Sequence, residues 1–184
     1  MKQIGSVVLA AAALCVVAAS SARAQGTLRY GISGGLLMPT GNYKTDDKIG
    51  WVGGVGATYW LPGNLGVRGE LSYSQTSHDS ATFGAAGHTK LLGGMASALY
   101  ALNPASAPAR IILSAGLGLY HVKVDANGGA TPSSTKVGFG GGVAVAFKLG
   151  AGSTRLVVAS RYQSVSTPTS LNFIPITVGL TFGK

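Results

Sequence analysis

Six charged residues of this 184-residue chain share positions that, in extended segments, would turn them toward one interior: Arg29, Arg68, Glu70, Lys148, Arg155 and Arg161. Five cations around one carboxylate have two uses. They pair across a narrow space and fill it, or they line a gate or ion path. Three histidines, His78, His88 and His121, could ligate a metal, with Asp79 or Asp125 the nearest further donors. Their spacing fits no metal-binding pattern, and solvated loop histidines account for them better. Serine hydrolysis needs a base and an acid beside the nucleophile. At Tyr162-Gln163-Ser164 a glutamine stands where the base is wanted, and no acid is close in sequence. Glu70 is the only glutamate, and Asp46, Asp47, Asp79 and Asp125 fall in or beside polar connections. The chain is therefore poor in general acids and bases, and the expectation is no catalytic residue, no metal and no cofactor. Gly116-Leu117-Gly118 and Gly138-Phe139-Gly140 resemble phosphate loops only on paper. They lie inside strand patterns, where glycine thins a crowded interior.

The elements that must position these residues read as strands. In Lys136 to Leu149, KVGFGGGVAVAFKL, one parity carries Val137, Phe139, Val143, Val145, Phe147 and Leu149. The other carries Gly138, Gly140, Gly142, Ala144, Ala146 and Lys148. Alternate side chains of a strand go to opposite faces, so one face is bulky and apolar and the other nearly bare. A greasy face backed by glycine fits lipid outside and a narrow lumen inside.

Seven further runs show period two. They are Thr27 to Met38, Ile49 to Leu61, Leu65 to Gln75, His88 to Leu102, Arg110 to Val124, Thr154 to Val165 and Phe173 to Phe182. Leu37 and Trp60 fall against their local patterns. In the fourth run Leu92, Ala96, Ala98, Tyr100 and Leu102 are assigned to the outside. Connections alternate between short or proline-bearing turns and longer polar loops, and no helix is expected. Eight runs of about ten residues with this alternation predict an all-β, eight-stranded antiparallel up-and-down transmembrane barrel. Tyr30, Trp51, Tyr59, Trp60, Tyr73, Tyr100, Tyr162 and Phe182 fall mostly near run ends, as interfacial girdles require.

The first 24 residues read as a cleaved signal peptide, leaving 25–184 as the barrel domain. Lys2 is the positive start, Ile4 to Ala19 the apolar stretch, and Ala22-Arg23-Ala24 the cleavage site before Gln25. The apolar stretch is short of the ~20 residues that span a bilayer. Cys15, the sole cysteine, lies within it after Leu14, where lipid modification would want a small residue. Removing Lys2 and Arg23 lowers the net charge from +9 to +7. The remaining charges are scattered through separate runs, which does not fit a nucleic-acid surface.

GNLGVRGELSYS at Gly63 to Ser74, VVASRYQSV at Val157 to Val165 and IPITVGLTF at Ile174 to Phe182 carry a resemblance. The mature chain resembles the small outer-membrane β-barrel domains of bacterial surface antigens, the opacity-type or porin-like family. The resemblance implies an outer-membrane location with both termini in the periplasm. Partners would be outer-membrane lipid, the barrel-assembly machinery and periplasmic chaperones, and a partner outside the cell met through the loops. It implies that Gly179 and Phe182 belong to the C-terminal assembly signal. Members often end on the aromatic residue, whereas here Gly183 and Lys184 follow, and Ala159 stands where an acid often precedes the arginine. The expected function is structural or interactive at the surface, with a side-chain-filled lumen because eight strands leave an interior just wide enough for side chains. A narrow passive pore for small solutes is the alternative, and a lipid-modifying enzyme a weaker one. The four long loops would present Lys44, Asp46, Asp47, Lys48, His78, Asp79 and Asp125 outward.

Overall fold

The structure, a computed structural model, describes residues 26–78, 87–126, 133–167 and 170–183. The expected signal cleavage at Ala22, Ala24 and Gln25, and Asp79, lie outside the described residues. Eight strands follow one another: β1 Thr27–Thr40, β2 Gly50–Trp60, β3 Leu65–Ser77, β4 Gly87–Ala101, β5 Ala109–Ala126, β6 Ser133–Lys148, β7 Arg155–Val165 and β8 Leu171–Phe182. Each pairs antiparallel with its neighbours in sequence, and β8 returns to β1 to close the barrel. Closure leaves no sheet edge, which is what a bilayer demands of a β protein.

Alternation decides the two faces. On β1, Leu28, Tyr30, Ile32, Leu36 and Met38 are exposed, and Leu71, Leu117, Phe139 and Val178 are exposed on other strands. A continuous belt of large exposed apolar residues is a surface built for lipid. On β4, Leu92 and Tyr100 face out, as does Leu102 just past its end, while Leu91, Met95 and Leu99 are buried, matching the assigned facing. Leu37, which broke the pattern of β1, turns inward and is fully buried.

The end where β1 begins and β8 finishes, called the terminal end below, also carries the β2–β3, β4–β5 and β6–β7 connections. Gly63 (φ 95°) and Gly150 (φ 62°) take the left-handed backbone that two of these turns need. At the third, the Asn103 side chain donates to Ala109 O at 2.6 Å and accepts from the Ile111 N–H at 2.9 Å. At the opposite, loop end the chain departs from the all-strand expectation. A four-residue helix, α1 Tyr43–Asp46, follows β1 and tucks Tyr43 into the barrel mouth. Pro175 interrupts the ladder between β7 and β8. Pairing stops after Ser160↔Ile176 and resumes at Gln163↔Phe173, because proline has no N–H to give.

Candidate functional site

The inward side chains lie in layers. Nearest the termini, Trp60, Leu99, Ala101 and Ile112 pack together. Trp60 is therefore no girdle residue. It sits last on β2 on the inward parity, buried, with the Arg110 guanidinium carbon 3.9 Å from its ring centroid. Arg29 and Arg155 share this layer, and both anchor the turns below them. Arg29 Nη1 donates to Ser153 O at 2.5 Å, and Arg155 Nη2 donates to Ala105 O at 2.6 Å.

At mid-height, two arginines converge on the buried Glu70. Arg161 Nη2 lies 2.5 Å from Oε1, and Arg68 closes on Oε2. Glu70 stands on β3 and Arg161 on β7, on opposite walls, so this pair crosses the lumen. The side chain of Glu70 is 6% exposed, and a carboxylate so buried is tolerable only with cations on both oxygens.

Above the ion triad the interior becomes apolar. Leu37, Val52, Leu91, Tyr120, Val122, Val165 and Phe173 form one cluster, which Tyr43 caps. Tyr120 and Tyr43 each meet Phe173 edge-on, at 6.4 and 6.3 Å between centroids. Gln163, beside the weighed Ser164, faces this interior and points its amide at Met95 Sδ. Ser164 lies on the other parity of β7.

A polar chain seals the mouth. Thr76 Oγ1 donates to Asp47 Oδ1 at 2.6 Å, so Tyr43 Oη, 2.8 Å away, is the donor to Thr76. Thr89 Oγ1 donates to Asp47 Oδ2 at 3.2 Å, so it accepts from His78 Nε2 at 3.1 Å, which places a proton on that nitrogen. Thr76, Thr89, Asp47 and His78 are all buried. Burial of the Tyr43 phenol, with the Asp47 carboxylate near, pushes its pKa up. Asp47 and His78 are thus latch residues, not the presented loop groups expected from sequence. Their segments also meet as a β-bridge.

Of the six charges assigned to the interior, Arg29, Arg68, Glu70, Arg155 and Arg161 line the lumen or its cavity. Lys148 ends β6 exposed at the rim, paired in register with Arg155 but outside the cluster. Arg110 was missed, although it shares inward parity with Ser114, Gly116 and Tyr120. Its place as first residue of a run hid it. Near the end of β8, Gly179 pairs with Ser33 on the inward parity and Phe182 with Tyr30 on the outward parity. Among the described residues no three of His, Cys, Asp and Glu converge on one point. Asp125 instead joins Lys90 (2.7 Å) and Lys123 (3.3 Å) where β4 and β5 project beyond the apolar belt.

The family model described as outer membrane protein beta-barrel domain matches residues 8–182. This chain belongs to the outer-membrane β-barrel family. Solved structures of similar fold include Neisserial surface protein A, at 18% identity and TM-score 0.63, covering 86% of this chain and 97% of that one. OprG of Pseudomonas aeruginosa is 12% identical with TM-score 0.60, covering 88% and 99%. Ail, the attachment invasion locus protein of Yersinia pestis, is 15% identical in its complex with sucrose octasulfate, with TM-score 0.52, covering 85% and 97%. At these identities the likeness is one of fold. No curated protein matches the sequence.

Proposed function

We propose that this outer-membrane barrel acts as a non-enzymatic structural or surface-interaction protein whose lumen is closed by its own side chains. The observation that carries this reading is the Arg161–Glu70 pair, which ties opposite walls together where a pore would have to run. The Tyr43 cap above it adds a second obstruction. Eight strands leave an interior only wide enough for side chains, so geometry favours a plug over a channel. In this reading the terminal end faces the periplasm, the loop end faces outside, and the loops meet an extracellular partner. The leader is removed after Ala24, and Gly179 with Phe182 serves recognition by the assembly machinery.

Planar-bilayer recording tests the closed lumen. The proposal expects no steady open channel. Reproducible conductance steps from the folded protein would favour the passive pore. Lipid A mass spectra from cells with and without the protein test the non-enzymatic reading, which expects the same acyl pattern in both.

A further inference from the structure

The terminal half of the lumen holds five guanidiniums, those of Arg29, Arg68, Arg110, Arg155 and Arg161, around the single carboxylate of Glu70. Among the described residues the other carboxylates that form ion pairs or hydrogen bonds, Asp47 and Asp125, lie at the loop end. Glu70 serves Arg68 and Arg161. Backbone carbonyls serve Arg155 and Arg29. Arg110 is different. It is 5% exposed, and it makes no hydrogen bond or ion pair with the described residues. Its Nε is enclosed without any acceptor. The charged groups that act on it are Arg155 and Arg29, both of like sign. The Trp60 face offers a modest cation–π attraction. Burying an ion without a counter-charge costs more than such a contact returns.

A cavity of ≈ 60 Å³ lies against this group, with Arg29, Arg155, Ser97, Ser114 and Thr181 among its other walls. One water needs about 10–15 Å³ by this measure, so the space takes several waters or one small polyatomic ion. We infer that this cavity binds a small soluble oxyanion of the phosphate or sulfate type, held by Arg110 together with Arg29 and Arg155. The planar fork of arginine matches two oxygens of such an ion at once. The ion supplies the counter-charge that the chain itself does not give Arg110. A lipid headgroup carries the same chemistry, but the closed wall of strands separates the cavity from the bilayer. The ion therefore enters as a free solute.

The test is calorimetric titration of inorganic phosphate into the folded barrel in neutral detergent at low ionic strength. One saturable site is expected. Arg110→Met should weaken it by roughly tenfold or more, as loss of a charge-assisted bidentate contact implies. Arg29→Gln, at the exposed end of the cavity, should weaken it severalfold even if Arg110→Met does not fold. Lys123→Gln, at the far end, should leave it unchanged. Absence of saturable binding by the unaltered barrel would overturn the site. So would Arg29→Gln, or a folded Arg110→Met, binding as the parent does. In a competition arm, phosphatidylglycerol vesicles should leave phosphate binding intact, and displacement by them would overturn the free-solute assignment.

Discussion

The ring of Tyr120 lies over Gly138, with its Cε2 only 2.7 Å from where a Cβ on that glycine would stand. Gly93 and Gly118 border the same ring, at 2.7 and 3.1 Å by the same measure. Glycines of β4, β5 and β6 thus make one slot for one tyrosine. The bare face of β6 serves chiefly this aromatic, together with Met95 and Gln163 beside Gly140. Toward the terminal end the same face meets the arginines: Gly142 abuts Arg161, and Ala144 and Ala146 line the cavity with Arg155.

Filling that slot should impair assembly. Gly138→Val would drive methyl groups into Tyr120, and Gly140→Leu would place its Cβ 2.8 Å from the Tyr162 carbonyl oxygen. Both should lower the yield of folded, heat-modifiable protein on gels. Gly69→Ala, on the lipid side with nothing within 4 Å, should fold as the parent does. Equal yields for all three would contradict the inward facing.

Glu70→Gln removes the only carboxylate from the ion triad while nearly preserving volume. It leaves Arg161 and Arg68 without counter-charge in a buried layer. Breaking such a pair from one side costs about 3–5 kcal/mol. Urea unfolding in detergent should show a clearly lowered midpoint. Arg68→Gln, which leaves Arg161 on Glu70, should cost less.

The mouth latch should weaken in alkali. The raised pKa of Tyr43 means that the folded state holds its proton more tightly than the unfolded one. Its contribution is therefore complete below the ordinary tyrosine pKa of about 10 and is lost as pH rises beyond it. Thermal unfolding should show a decline above about pH 10 that is smaller in Tyr43→Phe. A decline of identical size in both would exclude Tyr43 as a contributor.

Asp47→Ala should loosen the loop end at every pH. Two buried hydroxyls, Thr76 and Thr89, would lose the acceptor they share. Each unsatisfied buried group costs about 1–3 kcal/mol. Faster proteolysis of the β1–β2 connection is expected, with the terminal half of the barrel intact. An unchanged cleavage rate would remove the latch.

Membrane orientation can be read with single cysteines, because the sole cysteine is Cys15, within the proposed leader. Lys44→Cys should react with an impermeant maleimide on intact cells. Ala151→Cys, in the β6–β7 turn, should react only after the envelope is opened. The reverse pattern would invert the proposed orientation.

Facing was legible in the sequence because it is local. A strand turns alternate residues to opposite sides whatever its partners are, so period two sorted most lipid-facing from lumen-facing positions. Eight such runs with alternating connections sufficed for the barrel, and the inward parity of Arg29, Arg68, Glu70, Arg155 and Arg161 followed. Residues near strand ends were harder to place. Trp60 looked like a girdle aromatic because a run end allows either role, and Lys148 looked interior because parity does not say where the wall stops.

Which interior residues meet was set only by closure and inter-strand register, which couple positions far apart in the chain. Arg161 and Glu70 are separated by 91 positions, and nothing local to either names the other. The pairing of Arg110 with Trp60, the shared slot around Tyr120, and the descent of Tyr43 onto Asp47 and Thr76 are of the same kind. Sequence by itself determined the wall of this protein and which way each strand faces. Only the tertiary structure decided its contents: an ion pair across the middle, an aromatic cap above, and a cationic cavity below.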